Sequence, residues 1–217
     1  MIKAEGIEKS YNGEKVLKGV NLEISDGEFV AVMGESGSGK STLISILGGF
    51  LAADSGRVLW NGEDISKFSE KRFAYLRSTS VGFVFQFFKL IPTLNVRDNL
   101  LLPATLGGKI NDETLSYMNG LVSELKLDSL LSKYPDQLSG GQCQRAAILR
   151  ALIYKPSTVI LDEPTGALDS ATEEAVMKLL TRINKEQKAT VIMVTHSKKV
   201  ADYAHRIINL RDGDIVK

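Results

Sequence analysis

A glycine-rich turn between an apolar run and a helix-like stretch constrains the fold of this chain more than any other feature. Residues 32–47 read VMGESGSGKSTLISIL, with the apolar run EFVAVM leading into the turn and an amphipathic stretch leading out of it. Four residues match the spacing G-x-x-x-x-G-K-[ST], namely Gly34, Gly39, Lys40 and Ser41. The segment therefore predicts a strand, a phosphate-binding loop and a helix, which is a building unit of α/β folds.

The chemistry expected of this loop is the binding of a nucleotide's phosphates. Glycines let backbone N–H groups converge on phosphate oxygens, and the helix that begins near Lys40 directs its positive end at them. Lys40 should reach the β- and γ-phosphates, Ser41 should place its hydroxyl on Mg²⁺, and Thr42 should contact the α-phosphate. The expected nucleotide-binding residues of the loop are Gly34, Ser36, Gly37, Ser38, Gly39, Lys40, Ser41 and Thr42.

The composition argues against several other classes of protein. Hydrophobic residues make up 43% and charged residues 24% of the 217 residues, which is typical of a folded protein with one substantial core. The 27 basic and 26 acidic residues leave a net charge of +1, so we expect no nucleic-acid partner. Cys143 is the only cysteine, which fits a reducing compartment. No apolar run approaches the roughly eighteen residues of a membrane span, so any membrane crossing would need another chain.

Strand-like segments fall into two groups along the chain. MIKAEGI, KVLKGVNLEIS and EFVAVM predict an antiparallel start, and GRVLWNGEDI adds a hairpin with Asn61-Gly62 as its tight turn. From Val81 onward, VGFVF, TVILD and TVIMVT are short and almost continuously apolar, as expected for parallel strands covered on both faces. The sequence therefore predicts an antiparallel β subdomain and an α/β core.

The stretch from residue 95 to residue 152 contains no strand-like segment. NVRDNLLLPATL, NDETLSYMNGLVSELKL and GGQCQRAAILRALI predict helices, with Asn111 as the N-cap of the second. We therefore expect a helical insert in an α/β core. The expected organisation is a single domain over 1–217, with a nucleotide-binding core and β subdomain in 1–94 and 153–217 and a helical subdomain in 95–152.

Two adjacent carboxylates end the apolar segment STVILDEP. Asp162 and Glu163 follow a buried strand, and ligands bind at such strand ends in open α/β sheets. Consecutive strand residues point in opposite directions, so the two side chains should have different tasks. Asp162 suits the water shell of the metal, and Glu163 suits the water that attacks the γ-phosphate. The alternative is an acidic strand end that caps the following segment.

Three further side chains lie at predicted strand ends. His196 follows TVIMVT and is placed to contact the γ-phosphate, although a lone histidine is more often structural. Gln86 follows VGFVF, where it could reach Mg²⁺ or the attacking water, or merely cap the sheet. Tyr11 precedes a turn and could either stack on an adenine ring or pack on its neighbours. No functional role is assigned to His205 or Cys143.

A second glycine-rich helix start reads LSGGQ at residues 138–142. By itself it is better explained as an N-cap by Ser139 followed by two permissive glycines. As an anion cradle it would hold a second ligand, or close on a nucleotide held by another copy, since the first loop already surrounds one side of the phosphates. The contacts would then come from Ser139, Gly140, Gly141 and Gln142.

Six motifs stand in the order found in the ATPase subunit of an ABC transporter, and the chain resembles that family over essentially its whole length. They are GESGSGKST at 34–42, Gln86, LSGGQ at 138–142, VILDE at 159–163, GALD at 166–169, and His196. The resemblance implies a P-loop NTPase core of the RecA-like type with an N-terminal antiparallel β subdomain and a helical subdomain. It also implies an active ATPase that uses ATP and Mg²⁺.

The family resemblance gives the two glycine-rich segments one shared use. In that family two subunits pack head to tail, and LSGGQ of one covers the γ-phosphate of ATP on the other's phosphate loop. The resemblance assigns Tyr11 to the adenine and Asp169 to the dimer interface. It implies as catalytic residues Glu163, His196, Gln86 and Lys40, and as metal ligands Ser41, Gln86 and Asp162. Two departures are mild: Cys143 replaces a common glutamine, and the sequence ends with RDGDIVK.

Longer segments narrow the resemblance to one group within the family. ISILGGFLAADSG and DEPTGALDS look like those of macrolide exporters, lipoprotein-release ATPases and antimicrobial-peptide resistance pumps. The group implies a transmembrane permease as partner, so we expect the chain at the cytoplasmic face of the cell membrane. The aromatic segment FQFFKLIP after Gln86 fits a socket for that partner, and packing beneath the helical subdomain is the alternative explanation.

Two other functions would share the phosphate-binding motifs. A non-transporting ATP switch, coupled to a membrane partner that regulates cell-envelope enzymes, would use the same ATP chemistry. A DNA-repair or chromosome-maintenance ATPase would carry long heptad insertions, which this chain lacks, and a more basic charge. The sequence favours the motor subunit of a transporter for antimicrobial compounds, peptides or lipoproteins.

Overall fold

The structure, a computed structural model, describes residues 1–216, which form two β-sheets and the helices that cover them. The strands are β1 Ile2–Tyr11, β2 Glu14–Ile24, β3 Phe29–Met33, β4 Ser55–Trp60, β5 Glu63–Asp64, β6 Val81–Val84, β7 Thr158–Asp162, β8 Thr190–Val194, β9 Arg206–Arg211 and β10 Asp214–Val216. The α-helices are α1 Lys40–Leu47, α2 Glu70–Thr79, α3 Val96–Leu106, α4 Asp112–Glu124, α5 Gly140–Leu152, α6 Ser170–Gln187 and α7 Lys198–Ala201.

The smaller sheet has the strand order β2-β1-β4-β5, and every neighbouring pair is antiparallel. The hairpin of β4 and β5 turns at Asn61 and Gly62, whose φ angles are 49° and 83°. Positive φ at both turn residues is what a two-residue hairpin with right-handed strand twist requires. The predicted antiparallel subdomain and its Asn-Gly turn are therefore confirmed.

The larger sheet has the strand order β10-β9-β3-β8-β7-β6, with only β10 antiparallel to its neighbour. The prediction that EFVAVM belongs to the antiparallel start is wrong, because β3 lies in the middle of this parallel sheet. Phe29 and Val30 pack on opposite faces, each with no exposed surface. A strand that is apolar at every position needs cover on both faces, which only the interior of the parallel sheet provides.

Each face of the larger sheet has its own hydrophobic cluster. One cluster joins the strands to helices α3 to α7, and it contains Leu161 from β7. The other joins the strands to α1 and the smaller sheet, and it contains Ile160 from the same strand. Alternate strand residues thus hold the helical segment and the β subdomain on opposite sides, which leaves the ends of the strands to form the site.

The helix starts named from the sequence agree with the structure, whereas α2 was not anticipated. Asn111 caps α4 by accepting a hydrogen bond from the Thr114 amide at 2.8 Å, as predicted. The segment between 95 and 152 contains α3, α4 and α5 and no strand. Helix α2 has no buried residue, so the sequence lacks the apolar periodicity that would have revealed it. The subdomain boundaries themselves remain a prediction.

Within residues 1–216, no helix is both long enough and apolar enough to cross a lipid bilayer.

Candidate functional site

A cavity of about 770 Å³ opens at the carboxyl ends of the parallel strands. The loops that follow β3, β6, β7 and β8 form its walls, together with Tyr11 at the end of β1. Parallel strands whose connections leave on both faces create a crevice at this end, which is where ligands of open α/β sheets bind. The sheet therefore brings segments from four distant parts of the chain to one place.

The glycine-rich loop between β3 and α1 is constrained by other parts of the chain. Gly39 has φ 100°, and a Cβ atom there would lie 2.9 Å from the Val16 carbonyl oxygen. Gly34 has φ 155°, and a Cβ atom there would lie 2.1 Å from the Leu210 carbonyl oxygen. Since real Cβ atoms do not approach so closely, any side chain at either position would displace the loop. Gly39 precedes α1 without a side-chain cap, so the first N–H groups of this helix are left for a ligand.

Two side chains of the loop behave differently from each other. Lys40 is buried, and its Nζ donates hydrogen bonds to the carbonyl oxygens of Gly34 at 2.9 Å and Glu35 at 2.6 Å. Its ammonium group therefore lies over the loop, where phosphates would bind. Ser38 is also buried, but it does not line the cavity, and its Oγ has no hydrogen-bond partner among the described residues. The sequence predicted that both residues bind the nucleotide. In the structure the Ser38 side chain is buried in the protein and does not face the cavity.

Ser41 and Asp162 meet at the start of α1 and the end of β7. The Ser41 hydroxyl donates a hydrogen bond of 3.0 Å to the Asp162 carboxylate. Burial raises the pKa of Asp162, while the Ser41 hydroxyl acts to lower it. A buried carboxylate is stabilised in its charged form by a nearby cation. The pair therefore offers two oxygen ligands, which is the donor type that Mg²⁺ prefers.

Glu163 and His196 form the second contact across the cavity. Oε2 of Glu163 lies 3.0 Å from Nδ1 of His196, and the histidine side chain is 75% exposed. Glu163 has φ 50°, a left-handed conformation that costs a non-glycine residue about 1–2 kcal/mol. The two adjacent carboxylates have different partners, since Asp162 accepts a hydrogen bond from Ser41 and Glu163 lies against His196.

Most residues predicted for the site line this cavity. They are Tyr11, Gly34, Ser36, Gly37, Gly39, Lys40, Ser41, Thr42, Gln86, Asp162, Glu163 and His196. Sequence reasoning missed other lining residues, namely Val16, Phe87, Phe88, Gln144, Gly166, Ala167 and Val194. Gly166 and Ala167 belong to the quoted motif GALD, but no sequence signal identified Val16 or Gln144 as cavity residues.

The second glycine-rich segment lies outside the cavity of its own chain. Ser139, Gly140, Gly141 and Gln142 are absent from its lining, and Ser139 and Gly140 are exposed. Ser139 caps α5, accepting a hydrogen bond from the Gln142 amide at 3.3 Å, while the Gln142 side chain accepts one from the Ser139 amide at 2.9 Å. The N-cap interpretation of Ser139 is therefore correct.

Two residues outside the cavity have structural contacts. His205 accepts a hydrogen bond at Nδ1 from the Phe29 amide at 3.1 Å, which links the turn before β9 to β3. Asp169 accepts hydrogen bonds from the amides of Ala171 and Thr172, and these bonds hold its pKa below the usual value. Asp169 is therefore the N-cap of α6, a role in addition to the interface role predicted from the resemblance.

The site fits a nucleotide whose phosphates carry a divalent cation. The cavity combines a lysine, helix N–H groups and an exposed tyrosine. No group of three or more His, Cys, Asp or Glu side chains is arranged for a metal ion in the described part of the chain. Such a cage is not needed for Mg²⁺, which usually keeps waters and binds one or two protein oxygens together with substrate phosphates.

Comparison with known proteins connects this geometry to one family. A family model described as ABC transporter matches residues 17–166. The lipoprotein-releasing system ATP-binding protein LolD of Aquifex aeolicus is 43% identical over 216 residues, which cover 100% of this chain and 96% of that protein. The macrolide export ATP-binding/permease protein MacB of Brucella melitensis is 46% identical, with coverage of 100% of this chain and 34% of that protein, so the chain corresponds to about a third of MacB.

Solved structures give the same result. The dimeric structure of MJ0796, a bacterial ABC transporter cassette, is 40% identical with a TM-score of 0.95, and the match covers 100% of this chain and 97% of that one. A dimeric post-hydrolysis state of the same cassette, bound to ADP and Pi, matches with a TM-score of 0.94 at 38% identity over the same shares of the two chains. The family model, the relatives and the cavity agree, and the chain belongs to the ABC transporter family as an ATP-binding subunit that hydrolyses ATP.

Proposed function

We propose that this chain is the motor subunit of an export, efflux or mechanotransmission complex, and that it works as a head-to-tail dimer with ATP between the subunits. The observation that carries the proposal is the position of LSGGQ. Its exposed helix start lies outside the cavity of its own chain, although the segment has the form of an anion cradle. A second copy would bring this helix start to the open side of the cavity.

The residues of the cavity would divide the work on ATP. Lys40 would exchange its carbonyl contacts for the β- and γ-phosphates, and Thr42 would contact the α-phosphate. Tyr11, which is 46% exposed, would stack on the adenine beside Val16. The hydrogen bonds from the Lys40 ammonium group to the phosphates would be charge-assisted and therefore stronger than neutral ones. We therefore expect the phosphates to contribute most of the affinity for ATP.

The metal would be held by Ser41, Gln86 and Asp162. A bound Mg²⁺ would neutralise charge on the β- and γ-phosphates during the transfer. A hydrogen bond of 3.0 Å between Ser41 and Asp162, which both line the cavity, supports a shared metal site. Gln86 lines the same cavity, and its neutral amide would add an oxygen ligand without adding negative charge.

Glu163 would act as the general base for the attacking water, and His196 would contact the γ-phosphate. The 3.0 Å separation of the two side chains supports a shared task, because one group can orient the other. The strained backbone of Glu163 supports a functional position, since left-handed non-glycine residues cluster at active sites.

The relatives support the proposed cellular role. One is named for lipoprotein release and one for macrolide export, and MacB carries its permease in the same chain. We infer that a separate transmembrane permease binds this subunit at the cytoplasmic face of the membrane. Phe87, which is 74% exposed after β6, is a suitable contact for such a partner.

The test is the solution mass of Glu163→Gln protein, measured by light scattering with and without Mg-ATP. The substitution keeps the side chain's shape and removes the proposed base, so bound ATP should persist. We expect a monomer without nucleotide and a dimer with Mg-ATP.

A second substitution identifies the surface that forms the dimer. A Cβ atom on Gly140 would meet no atom closer than 3.9 Å within its own chain, so Gly140→Asp should fold normally. Its carboxylate would repel the partner's γ-phosphate, and the Glu163→Gln, Gly140→Asp protein should bind ATP yet stay monomeric. ATP-dependent dimerisation that survives this change would rule out the shared site.

A further inference from the structure

One buried amide at the cavity has no hydrogen bond and no role in the mechanism above. Gln144 lies in the second turn of α5, is 1% exposed, and lines the nucleotide cavity. Its Nε2 has no partner among the described residues. Buried donors in native proteins are almost always paired, because an unpaired one loses its hydration without compensation. We therefore expect Nε2 of Gln144 to find a hydrogen-bond acceptor in another state of the site, such as the ATP-bound state.

The helix places Gln144 against the loops that carry the reactive groups. Gly140 and Gly141 come one turn earlier on the same helical face. A Cβ atom on Gly141 would lie 3.0 Å from the Ala167 carbonyl oxygen, and one on Gly140 would lie 4.0 Å from Cζ of Phe88. This face of α5 thus contacts both the loop after Glu163 and the loop that contains Gln86.

The loop that contains Gln86 is already held by a residue near the C-terminal end of α5. Phe88 and Lys89 have φ angles of 57° and 49°, which is an unusual pair of left-handed residues. Arg150 donates hydrogen bonds to the Phe88 carbonyl oxygen at 2.8 Å and to the Lys89 carbonyl oxygen at 2.6 Å. The guanidinium group, which lies in the last turn of α5 whereas LSGGQ lies at its start, thereby holds the strained end of the loop.

One carbonyl group of this loop has no hydrogen bond. The Phe85 carbonyl accepts from the Phe88 amide at 3.0 Å, and the Phe87 carbonyl accepts from the Lys89 amide at 2.5 Å. With Arg150 bound to the next two carbonyl groups, the Gln86 carbonyl is the one between residues 85 and 89 that accepts no hydrogen bond in the described chain. An unpaired donor on α5 and an unpaired acceptor on the Gln86 loop thus belong to residues that line the same cavity.

We propose that Gln144 is a positioning residue, whose Nε2 donates a hydrogen bond to the Gln86 carbonyl when ATP is bound and so directs the Gln86 side chain towards the proposed metal site. The inference rests on the proposed function, which assigns Gln86 to the metal. It makes α5 hold the Gln86 loop at both ends, through Gln144 and Arg150. The helix that offers LSGGQ to the partner is thereby tied to the nucleotide of its own chain.

The test replaces Gln144 by methionine, which keeps the length of the side chain and removes the amide. Without nucleotide, Gln144→Met should melt at the same temperature as the parent or higher, since no hydrogen bond is lost. With Mg-ATP, in the Glu163→Gln background, the rise in melting temperature should be smaller than in the parent. In the otherwise unchanged protein, kcat should fall roughly tenfold, and KM for ATP should change much less.

A matched control is Gln187→Met on α6. The Gln187 Nε2 donates a hydrogen bond of 2.8 Å to the Tyr117 hydroxyl, far from the cavity lining. This variant should show the opposite pattern, with a lower melting temperature without nucleotide and an unchanged kcat. The pair separates an amide that acts only with ATP from one that stabilises the fold.

A double variant tests whether Gln144 acts through Gln86. If it does, adding Gln144→Met to Gln86→Ala should leave kcat unchanged, because the positioned side chain is already gone. A further fall in kcat, an unaffected kcat in Gln144→Met alone, or a lower melting temperature of that variant without nucleotide would each overturn the proposal. Failure of the Glu163→Gln parent to dimerise with Mg-ATP would instead count against the shared site.

Discussion

The chain contains two glycine-rich helix starts, and their glycines serve different needs. At the start of α1, a Cβ atom on Gly34 or Gly39 would collide with backbone of the same chain, and no side chain caps the helix. At the start of α5, Ser139 caps the helix, and a Cβ atom on Gly140 would meet only ordinary contacts. The first pair of glycines is required by the fold, whereas Gly140 is not.

This difference shows how a glycine required by its own chain can be told from one required by a partner. The free N–H groups of α1 face a cavity that the chain builds alone. At α5, Gly140 leaves room on an exposed surface, because a Cβ atom there would meet no atom of the same chain closer than 3.9 Å. Substitutions at the two helix starts should therefore affect different properties, namely folding and nucleotide binding at α1 and dimerisation at α5.

The largest effect is expected from Gly34→Ala. The new Cβ atom would lie 2.1 Å from the Leu210 carbonyl oxygen, so the loop or β9 must move. We expect the free energy of unfolding to fall by about 2–4 kcal/mol, measured by urea denaturation. Gly37→Ala is the control, because Gly37 also has a positive φ of 82° but a Cβ atom there would have no other atom within 4 Å. This substitution should lower the free energy of unfolding by about 1–2 kcal/mol. If both variants lost the same free energy of unfolding, the predicted clash of the Gly34 Cβ atom with the Leu210 carbonyl oxygen would not explain the effect.

The next effect concerns nucleotide affinity of the single chain. Lys40→Met removes an ammonium group that lies over the loop, and Mg-ATP should bind roughly 10- to 100-fold more weakly in calorimetric titration. Gly140→Asp should leave the affinity of the monomer unchanged. A comparable loss in both variants would mean that α5 contacts the nucleotide of its own chain directly.

A smaller effect is expected from removal of the helix cap. Ser139→Ala loses the hydrogen bond from the Gln142 amide, and the free energy of unfolding should fall by about 1 kcal/mol. Replacement by aspartate keeps an acceptor at the N-cap and should restore most of that stability. If Ser139→Ala does not lower the free energy of unfolding, the Ser139 hydroxyl does not stabilise the helix, and its role would be to bind a ligand or a partner.

The smallest effect should have the opposite sign. Gly140→Ala places a methyl group in ordinary contact with Ala167 and Phe88, and alanine loses less backbone entropy than glycine when a helix forms. The free energy of unfolding should rise by about 0.5 kcal/mol, while ATP-driven dimerisation in the Glu163→Gln background weakens. A destabilised monomer would show that this glycine, like those of α1, is needed by its own fold.

Features encoded within a few residues could be predicted from the sequence. The phosphate loop, the Asn61-Gly62 hairpin and the Asn111 cap depend on local φ angles and hydrogen bonds, and all are present. The sequence analysis assigned β3 to the wrong sheet, although β3 lies inside the larger one. An apolar strand can lie in the interior of any sheet, and the sequence alone does not show which strands pair with it. Helix α2 was missed because it buries none of its residues.

The candidate site was predictable in its chemistry and less so in its geometry. Lys40, Ser41, Asp162, Glu163 and His196 meet in one cavity because parallel strands carry their following loops to the same edge of the sheet. The inward turn of the Ser38 side chain could not be anticipated, since the same motif letters describe both orientations. Gln144 lies within an ordinary helical pattern, and only its packing against two loops distinguishes it from a surface glutamine.

By itself, the sequence determined that this protein binds the phosphates of a nucleotide, because the loop and its lysine form their contacts within eight residues of each other. Only the tertiary structure decided that LSGGQ lies outside the cavity of its own chain while Gln144, one turn further along the same helix, faces into it. The physical reason is that the position of α5 is set by its burial against α3 and the sheet. That packing joins α5 to α3 and to β6, which lie far from it along the chain, so no local pattern encodes it.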